Sequence, residues 1–297
     1  MATRMTSPLA GFGWLRNAVN VGARKPGTLI LAALLLFLVS MIPSLITMPI
    51  QYGMPGDMTA FVGAMVIALI AGLALSPVLA GFLQVIDAIE RGQPARARDI
   101  FAAYRNGVAT PSIVFGLAMM VLYFVVIAVA LFTAAPGVGD LFLSRFTEGA
   151  MAAPQTPDPE AVQAGMWRMV GTMFALMLPV SGIWAIGLGQ IAIGRRGAGE
   201  ALADGVTGAF KNLVPMLILA VVVIVGGILL MLLFALVLIV LGAIASFVHE
   251  YVAYAILVPL YFAFAMAIYV VSFGLAYFFW RDVCAPNADP EVAHAEV

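Results

Sequence analysis

From Leu213 to Phe247 the chain stays apolar for 35 residues, and that run decides what kind of object it can be. A helix of that length rises about 52 Å, whereas the hydrocarbon core of a bilayer is about 30 Å thick. The run is too long for one straight span and too short for two spans plus a turn. One tilted or kinked helix is expected, bent at Gly226-Gly227 and ending near Gly242, with a short hydrophobic cap before His249-Glu250.

Five other stretches reach membrane length, at about Thr28–Met48, Thr59–Ile86, Pro111–Thr133, Trp167–Ile193 and Tyr251–Trp280. The chain of 297 residues is 64% hydrophobic and 10% charged. Soluble domains run at roughly 45–50% and 25%, so a water-soluble enzyme is excluded. With 29 glycines and one cysteine, collagen and disulfide scaffolds are excluded too. The net charge of −1 and 14 basic residues cannot coat a phosphate backbone, so nucleic acid is not an expected partner. The amphipathic stretch before the first span has no small-residue cleavage site and does not read as a secretory signal.

Orientation follows from the basic residues. Arg4, Arg16, Arg24 and Lys25 precede the first span. Arg91, Arg96, Arg98 and Arg105 lie between the second and third, Arg195, Arg196 and Lys211 between the fourth and fifth, and Arg281 ends the sixth. Only Arg145 and Arg168 fall on the other side. Both termini are therefore expected in the cytoplasm, with an outer loop over about 136–165. Within that loop, Asp140–Phe146 is expected as a surface helix and Ala153–Glu160, with three prolines, as an extended or mobile connector. The polar tail from Ala285 to Val297 is expected to be disordered.

Each odd-numbered span is entered through a similar segment: Trp14–Lys25 before Pro26, Asp99–Thr110 before Pro111, and Leu202–Val214 before Pro215. Tyr104-Arg105-Asn106 and Phe210-Lys211-Asn212 share an aromatic, basic, amide order. In each segment apolar residues at helical spacing oppose basic or polar ones, the pattern of a helix lying at the headgroups. The contacts assigned to headgroups are Trp14, Arg16, Arg24, Lys25, Arg98, Tyr104, Arg105, Phe210 and Lys211. The even spans exit through Glu90-Arg91-Gly92, Arg195-Arg196-Gly197 and Arg281-Asp282. The expected fold is a single all-α integral membrane domain: six transmembrane helices in three hairpin repeats (about 10–92, 93–197 and 198–282), each preceded by a cytoplasmic amphipathic interfacial helix.

Lipid supplies no hydrophobic drive between helices, so close packing needs small residues. Ala64, Ala68, Gly72, Ser76 and Ala80 recur at i+4 along the second span, and Ser181, Ala185 and Gly189 along the fourth; these are expected contact faces. Gln84 and Gln190, near the ends of the same spans, are expected to bond between helices or to line a path. No ionisable residue sits at mid-span, where a proton relay would need one. Two histidines and one cysteine give no metal spacing, so neither metal nor cofactor is expected. His249-Glu250 is the one pair that could act on headgroups, and a polar turn explains it as well.

The entry residues Trp14-Leu15, Arg24-Lys25-Pro26 and Phe210-Lys211-Asn212, with the exit Glu90-Arg91-Gly92, resemble a group of uncharacterised bacterial six-span integral membrane proteins. The layout is similar to the membrane-anchor domain of some glycerophosphodiester phosphodiesterases. That resemblance implies a bacterial inner-membrane location and carries over no catalytic residue. The expected function is non-enzymatic, a scaffold or envelope-maintenance role through contacts with the lipid bilayer and with other membrane proteins or a second copy. The alternatives are a transporter, channel or lipid-handling protein with a largely apolar path, and, third, a lipid-headgroup enzyme.

Overall fold

The computed structural model describes residues 3–54, 57–134, 139, 159–247 and 249–284. Among them every regular element is helical: α1 (Ala10–Val19), α2 (Pro26–Ser40), α3 (Ile42–Gly53), α4 (Met58–Glu90), a 3₁₀ segment η1 (Ala97–Tyr104), α5 (Ala109–Val129) continued by a π turn, α6 (Pro159–Ala192), α7 (Ala198–Lys211), α8 (Leu213–Ser246) and α9 (Glu250–Cys284). Six helical stretches are long and apolar enough to cross a membrane: Pro26–Gly53, Thr59–Glu90, Ala109–Thr133, Gln163–Ala192, Leu213–Ser246 and Tyr251–Cys284. In lipid a backbone can satisfy its polar groups only within such helices.

Local chemistry fixes their ends. Pro26, Pro111 and Pro215 fall in the first turn of α2, α5 and α8, where an N–H has no intrahelical partner to lose. The Asp57 carboxylate caps α4, accepting from the Thr59 and Ala60 amides at 2.8 and 3.2 Å.

Several boundaries differ from the sequence expectation. The first span is divided at Met41, because Pro43 near the start of α3 cannot donate to the preceding turn. The second entry segment is a 3₁₀ helix, closed at its start by the Arg96 amide donating to Asp99 Oδ2 at 2.7 Å. Helix α6 begins at Pro159, so the last part of the expected outer loop is helical. Helix α8 runs unbroken through Gly226-Gly227 and past Gly242 to Ser246. Neither Gly226 nor Gly227 has a neighbour that a Cβ would meet within 4 Å, so no contact prises the helix open. Glycine's cost of about 1 kcal/mol is small beside that of an unbonded peptide in lipid. The expected surface helix at Asp140–Phe146, Arg145 and the tail from Ala285 lie outside the described residues.

The packing closes on itself. Helices α4, α6 and α9 touch one another in the middle. Around them α2 lies against α4 and α9, α5 against α4 and α6, and α8 against α6 and α9. At one end, η1 crosses α4, α7 crosses α6 and α1 crosses α9. Every one of these three crossings is a glycine contact. A Cβ on Gly81 would lie 1.8 Å from the Ile100 carbonyl oxygen; one on Gly205 would lie 2.8 Å from the Ile183 oxygen; one on Gly274 would lie 3.1 Å from the Ala18 Cα.

The two ends of the bundle are unlike. Phe82, Leu83, Ile86, Ile186, Ile191 and Tyr277 are fully buried at the end where α1, η1 and α7 cross. Toward the other end the helices turn large apolar side chains outward, Leu45, Ile70, Trp167 and Leu229 among them. In α8 none of the most apolar 18-residue window is buried.

Candidate functional site: a polar collar and an arginine-lined cavity

Where the three central helices meet at the closed end, each pair is tied by a side-chain hydrogen bond. Gln84 of α4 donates through Nε2 to the Ala192 carbonyl of α6 at 2.7 Å. Trp280 of α9 donates its indole N–H to Gln190 Oε1 of α6 at 3.4 Å. Tyr277 of α9 donates its hydroxyl to Asp87 Oδ1 of α4 at 3.0 Å. The entry segments bind the same groups from outside. Asn106 Nδ2 donates to Gln84 Oε1 at 3.0 Å, and Gln190 Nε2 donates to Asp204 Oδ2 of α7 at 2.7 Å. Arg196 stands between Glu200 and Asp204 at 3.3 and 3.6 Å. The collar is therefore a structural clasp, set among fully buried apolar side chains such as Phe82, Ile86 and Ile186.

Residues 3–9 form a strap that completes the collar. Asn212, wholly buried, accepts at Oδ1 from the Thr6 amide and hydroxyl, both at 2.8 Å. Its Nδ2 donates to the Arg4 and Gly208 carbonyls at 3.0 and 2.8 Å. Lys211 Nζ donates to the Thr3 carbonyl at 3.0 Å. The Arg4 amide donates to the Val283 carbonyl at 3.0 Å, and its guanidinium pairs with Asp282 at 2.8 Å.

Between the strap, α1 and the ends of α4 and α9 lies a cavity of about 860 Å³. Three guanidinium groups reach it: Arg4, Arg91 and Arg281. Two carboxylates line it as well, and both are held in its walls. Asp282 takes Arg4 on Oδ1 and the Trp14 indole N–H on Oδ2 at 3.0 Å. Glu90 Oε1 accepts from the Gly22 amide at 3.3 Å. Arg91 pairs through Nε with Asp87 at 2.9 Å. Arg281 has no carboxylate within ion-pair distance among the described residues; it lies over the rings of Phe278 and Tyr277, 4.6 and 5.5 Å from their centroids.

Two further hollows are apolar and open to the side. One of about 430 Å³ lies between α4, α5 and α6, with Ala68, Gly72 and Ser76 on its wall. Another of about 1040 Å³ lies between α8 and α9 near Leu15 and Val19 of α1.

The residues singled out from the sequence fall in three places. Of the stripe on α4, Ala64, Ser76 and Ala80 are buried, and Ser76 faces Gly116 of α5; Gly72 is open to the lateral hollow. On α6, Ala185 and Gly189 are buried, Gly189 directly under the Trp280 ring, and Ser181 is exposed. Gln84 and Gln190 both bond between helices.

Of the expected headgroup contacts, Arg16, Arg24, Arg98, Tyr104, Arg105, Phe210 and Lys211 are exposed and Lys25 partly so. Trp14 is not: it is buried, its ring 4.7 Å from that of Phe279. The buried face of α1 (Gly11, Trp14, Ala18) lies against the bundle instead of against lipid. The Tyr104 hydroxyl donates to the Ala74 carbonyl at 2.5 Å, and partial desolvation against α4 raises that phenol above its ordinary range although the residue as a whole is exposed.

Tyr277 and the arginine cavity carry no signal in the sequence pattern. The shared aromatic, basic, amide order did mark Asn106 and Asn212, the two amides that close the collar.

The described residues contain no group of three or more His, Cys, Asp or Glu side chains able to hold a metal. His249 accepts the Tyr251 amide on Nδ1 at 3.2 Å and stacks on the Tyr251 ring, so it serves the start of α9. No family model, curated protein or solved structure matches the chain.

Proposed function

We propose that the protein is a non-enzymatic membrane scaffold, working through contacts with lipid and with other membrane proteins or a second copy of itself. The observation that carries this reading is the contrast between the two ends of the bundle. Gln84, Gln190, Tyr277 and Trp280 at the collar tie the central helices together, while the open half presents unpaired apolar helix surface, above all on α8. A chain built for turnover or coupled transport would place polar or ionisable groups along a path; here the collar is set among fully buried apolar side chains.

The finer reading is a bacterial inner-membrane protein with both termini cytoplasmic, because twelve of the 14 basic residues gather beside the three entry segments. Those segments, each crossing a central span and each leading into the next odd span, support a threefold hairpin repeat closed into a ring. On α7, Val206 and Phe210 are exposed opposite the buried Gly205 and Gly208, which supports a place at the headgroups. The layout similarity to a phosphodiesterase membrane anchor fits the same role.

Reconstitution tests it. Vesicles carrying the purified chain should show no saturable solute flux and no phospholipid hydrolysis above empty vesicles. Deleting the chain should raise envelope permeability to a hydrophobic dye. Saturable flux would favour the second reading, lipid handling, for which the lateral hollow of about 1040 Å³ is the specific support.

A further inference from the structure

We propose that the cavity between the strap, α1, α4 and α9 is a binding site for a phosphate group, most naturally the headgroup of an anionic lipid. The charge arithmetic is local. Arg4, Arg91 and Arg281 face Glu90 and Asp282 in the lining, and Asp87 behind the wall pairs with Arg91, so the cluster is balanced as a whole and its spare donors are those of Arg91 and Arg281. The carboxylates are also engaged in the walls. Asp282 has both oxygens occupied, by Arg4 and by Trp14, and Glu90 is drawn toward the Gly22 amide.

The cations keep capacity. Arg91 uses only Nε on Asp87, which leaves its terminal nitrogens for a second acceptor. Arg281 lies over the faces of Phe278 and Tyr277 and pairs with no carboxylate among the described residues, so its guanidinium retains donors for an anion. Two guanidinium edges on one hollow make the fork that phosphate oxygens accept.

Place favours a lipid as the source. The cavity lies at the collar, where the spans end and α1 begins, with Trp14, Tyr277 and Trp280 around it. A volume of about 860 Å³ is ample for a headgroup. This inference rests on the lipid-contact reading above and names the lipid class; the two fail separately, since solute flux bears on that reading and leaves the anion site unaffected.

The test titrates the full chain in mild detergent with dihexanoyl-phosphatidylglycerol, dihexanoyl-phosphatidylcholine or inorganic phosphate, reading the thermal midpoint. Phosphatidylglycerol should raise the midpoint saturably, and phosphatidylcholine should do so less. The apparent affinity should weaken about tenfold or more in Arg91→Gln and in Arg281→Gln. Arg168→Gln, on α6 away from the collar, should bind as the unaltered chain does. If inorganic phosphate alone reproduces the shift, the site takes the free anion; if only the lipid does, it takes a headgroup. Should a variant fold poorly, salt decides on the unaltered chain, because binding must weaken as sodium chloride rises. Equal shifts with both lipids, salt-independent binding, or full affinity in the Arg91→Gln/Arg281→Gln double variant would overturn the proposal.

Discussion

Replacing Gly81 by alanine is the sharpest probe of the way α4 is built into the bundle. The added Cβ would lie 1.8, 2.6 and 3.0 Å from the carbonyl oxygen, carbonyl carbon and Cα of Ile100. Ordinary contact begins near 3.4 Å. Helix α4 and segment η1 would therefore have to part by about 1.5 Å locally. Both sides of the clash are backbone, so no rotamer change relieves it.

Overpacking a core costs about 1–3 kcal/mol, and a backbone-to-backbone clash belongs at the upper end or beyond. The separation would also strain the Tyr104–Ala74 and Asn106–Gln84 hydrogen bonds that bridge the same crossing. A loss of about 3 kcal/mol lowers the unfolding midpoint by about 5 °C in a chain of this size. The readout is built in: Cys284 is the sole cysteine and only 3% exposed, so a thiol-reactive fluorogenic dye reports unfolding. Gly226→Ala, where nothing lies within 4 Å, should leave the midpoint unchanged or raise it slightly. A Gly81→Ala chain that unfolds within 1–2 °C of the parent, on the resolution expected of such a shift, would refute the close approach and the packing logic with it.

Other outcomes follow from the same geometry. Asn212→Ala removes four hydrogen bonds and leaves part-buried partners on the strap unpaired, which should cost about 2–4 kcal/mol and make residues 3–9 open to protease. Gln190→Ala should cost more than Gln190→Met, since the first leaves Asp204 and Trp280 facing a void and the second fills it; chemical unfolding of both variants measures the difference. For orientation, cysteines placed in a Cys284→Ala background at Gln93 and Tyr52, both exposed, should label oppositely with an impermeant maleimide. Tyr52→Cys should react in intact spheroplasts and Gln93→Cys only after lysis; the reverse pattern would invert the membrane assignment.

The spans were legible in the sequence because the signal is local and redundant. Twenty apolar residues in a row have few other fates, and one boundary shifted by a proline, as at Pro43, changes the break without changing the crossing. The tight crossings were not legible in the same way. With 29 glycines in the chain, spacing alone could not tell Gly81, which meets a backbone carbonyl, from Gly72, which meets nothing. The difference belongs to the partner, η1, brought there by the whole fold. Trp14 misled for a related reason. Its amphipathic setting signals an interface, but the acceptor for its indole, Asp282, is 268 residues away in the chain. Conversely Asn106 and Asn212 were visible as a repeated amide, and only their contacts showed that the first ties its segment to α4 and the second ties α7 to the strap.

The clasp between α1 and α9 has a consequence for how the molecule is made. Seen as a ring, the bundle has no seam in its contacts: Trp14 and Arg4 meet Asp282 much as Asn106 meets Gln84. A ribosome, however, delivers the ring as a line. Helix α1 is synthesised with its buried face waiting for α9, which begins 231 residues after α1 ends. During that interval its apolar side can only lean on the membrane surface or on the insertion machinery. Assembly should therefore finish in one late step, and a chain permuted to start at the η1 crossing should move that waiting period to a different helix without altering the finished bundle.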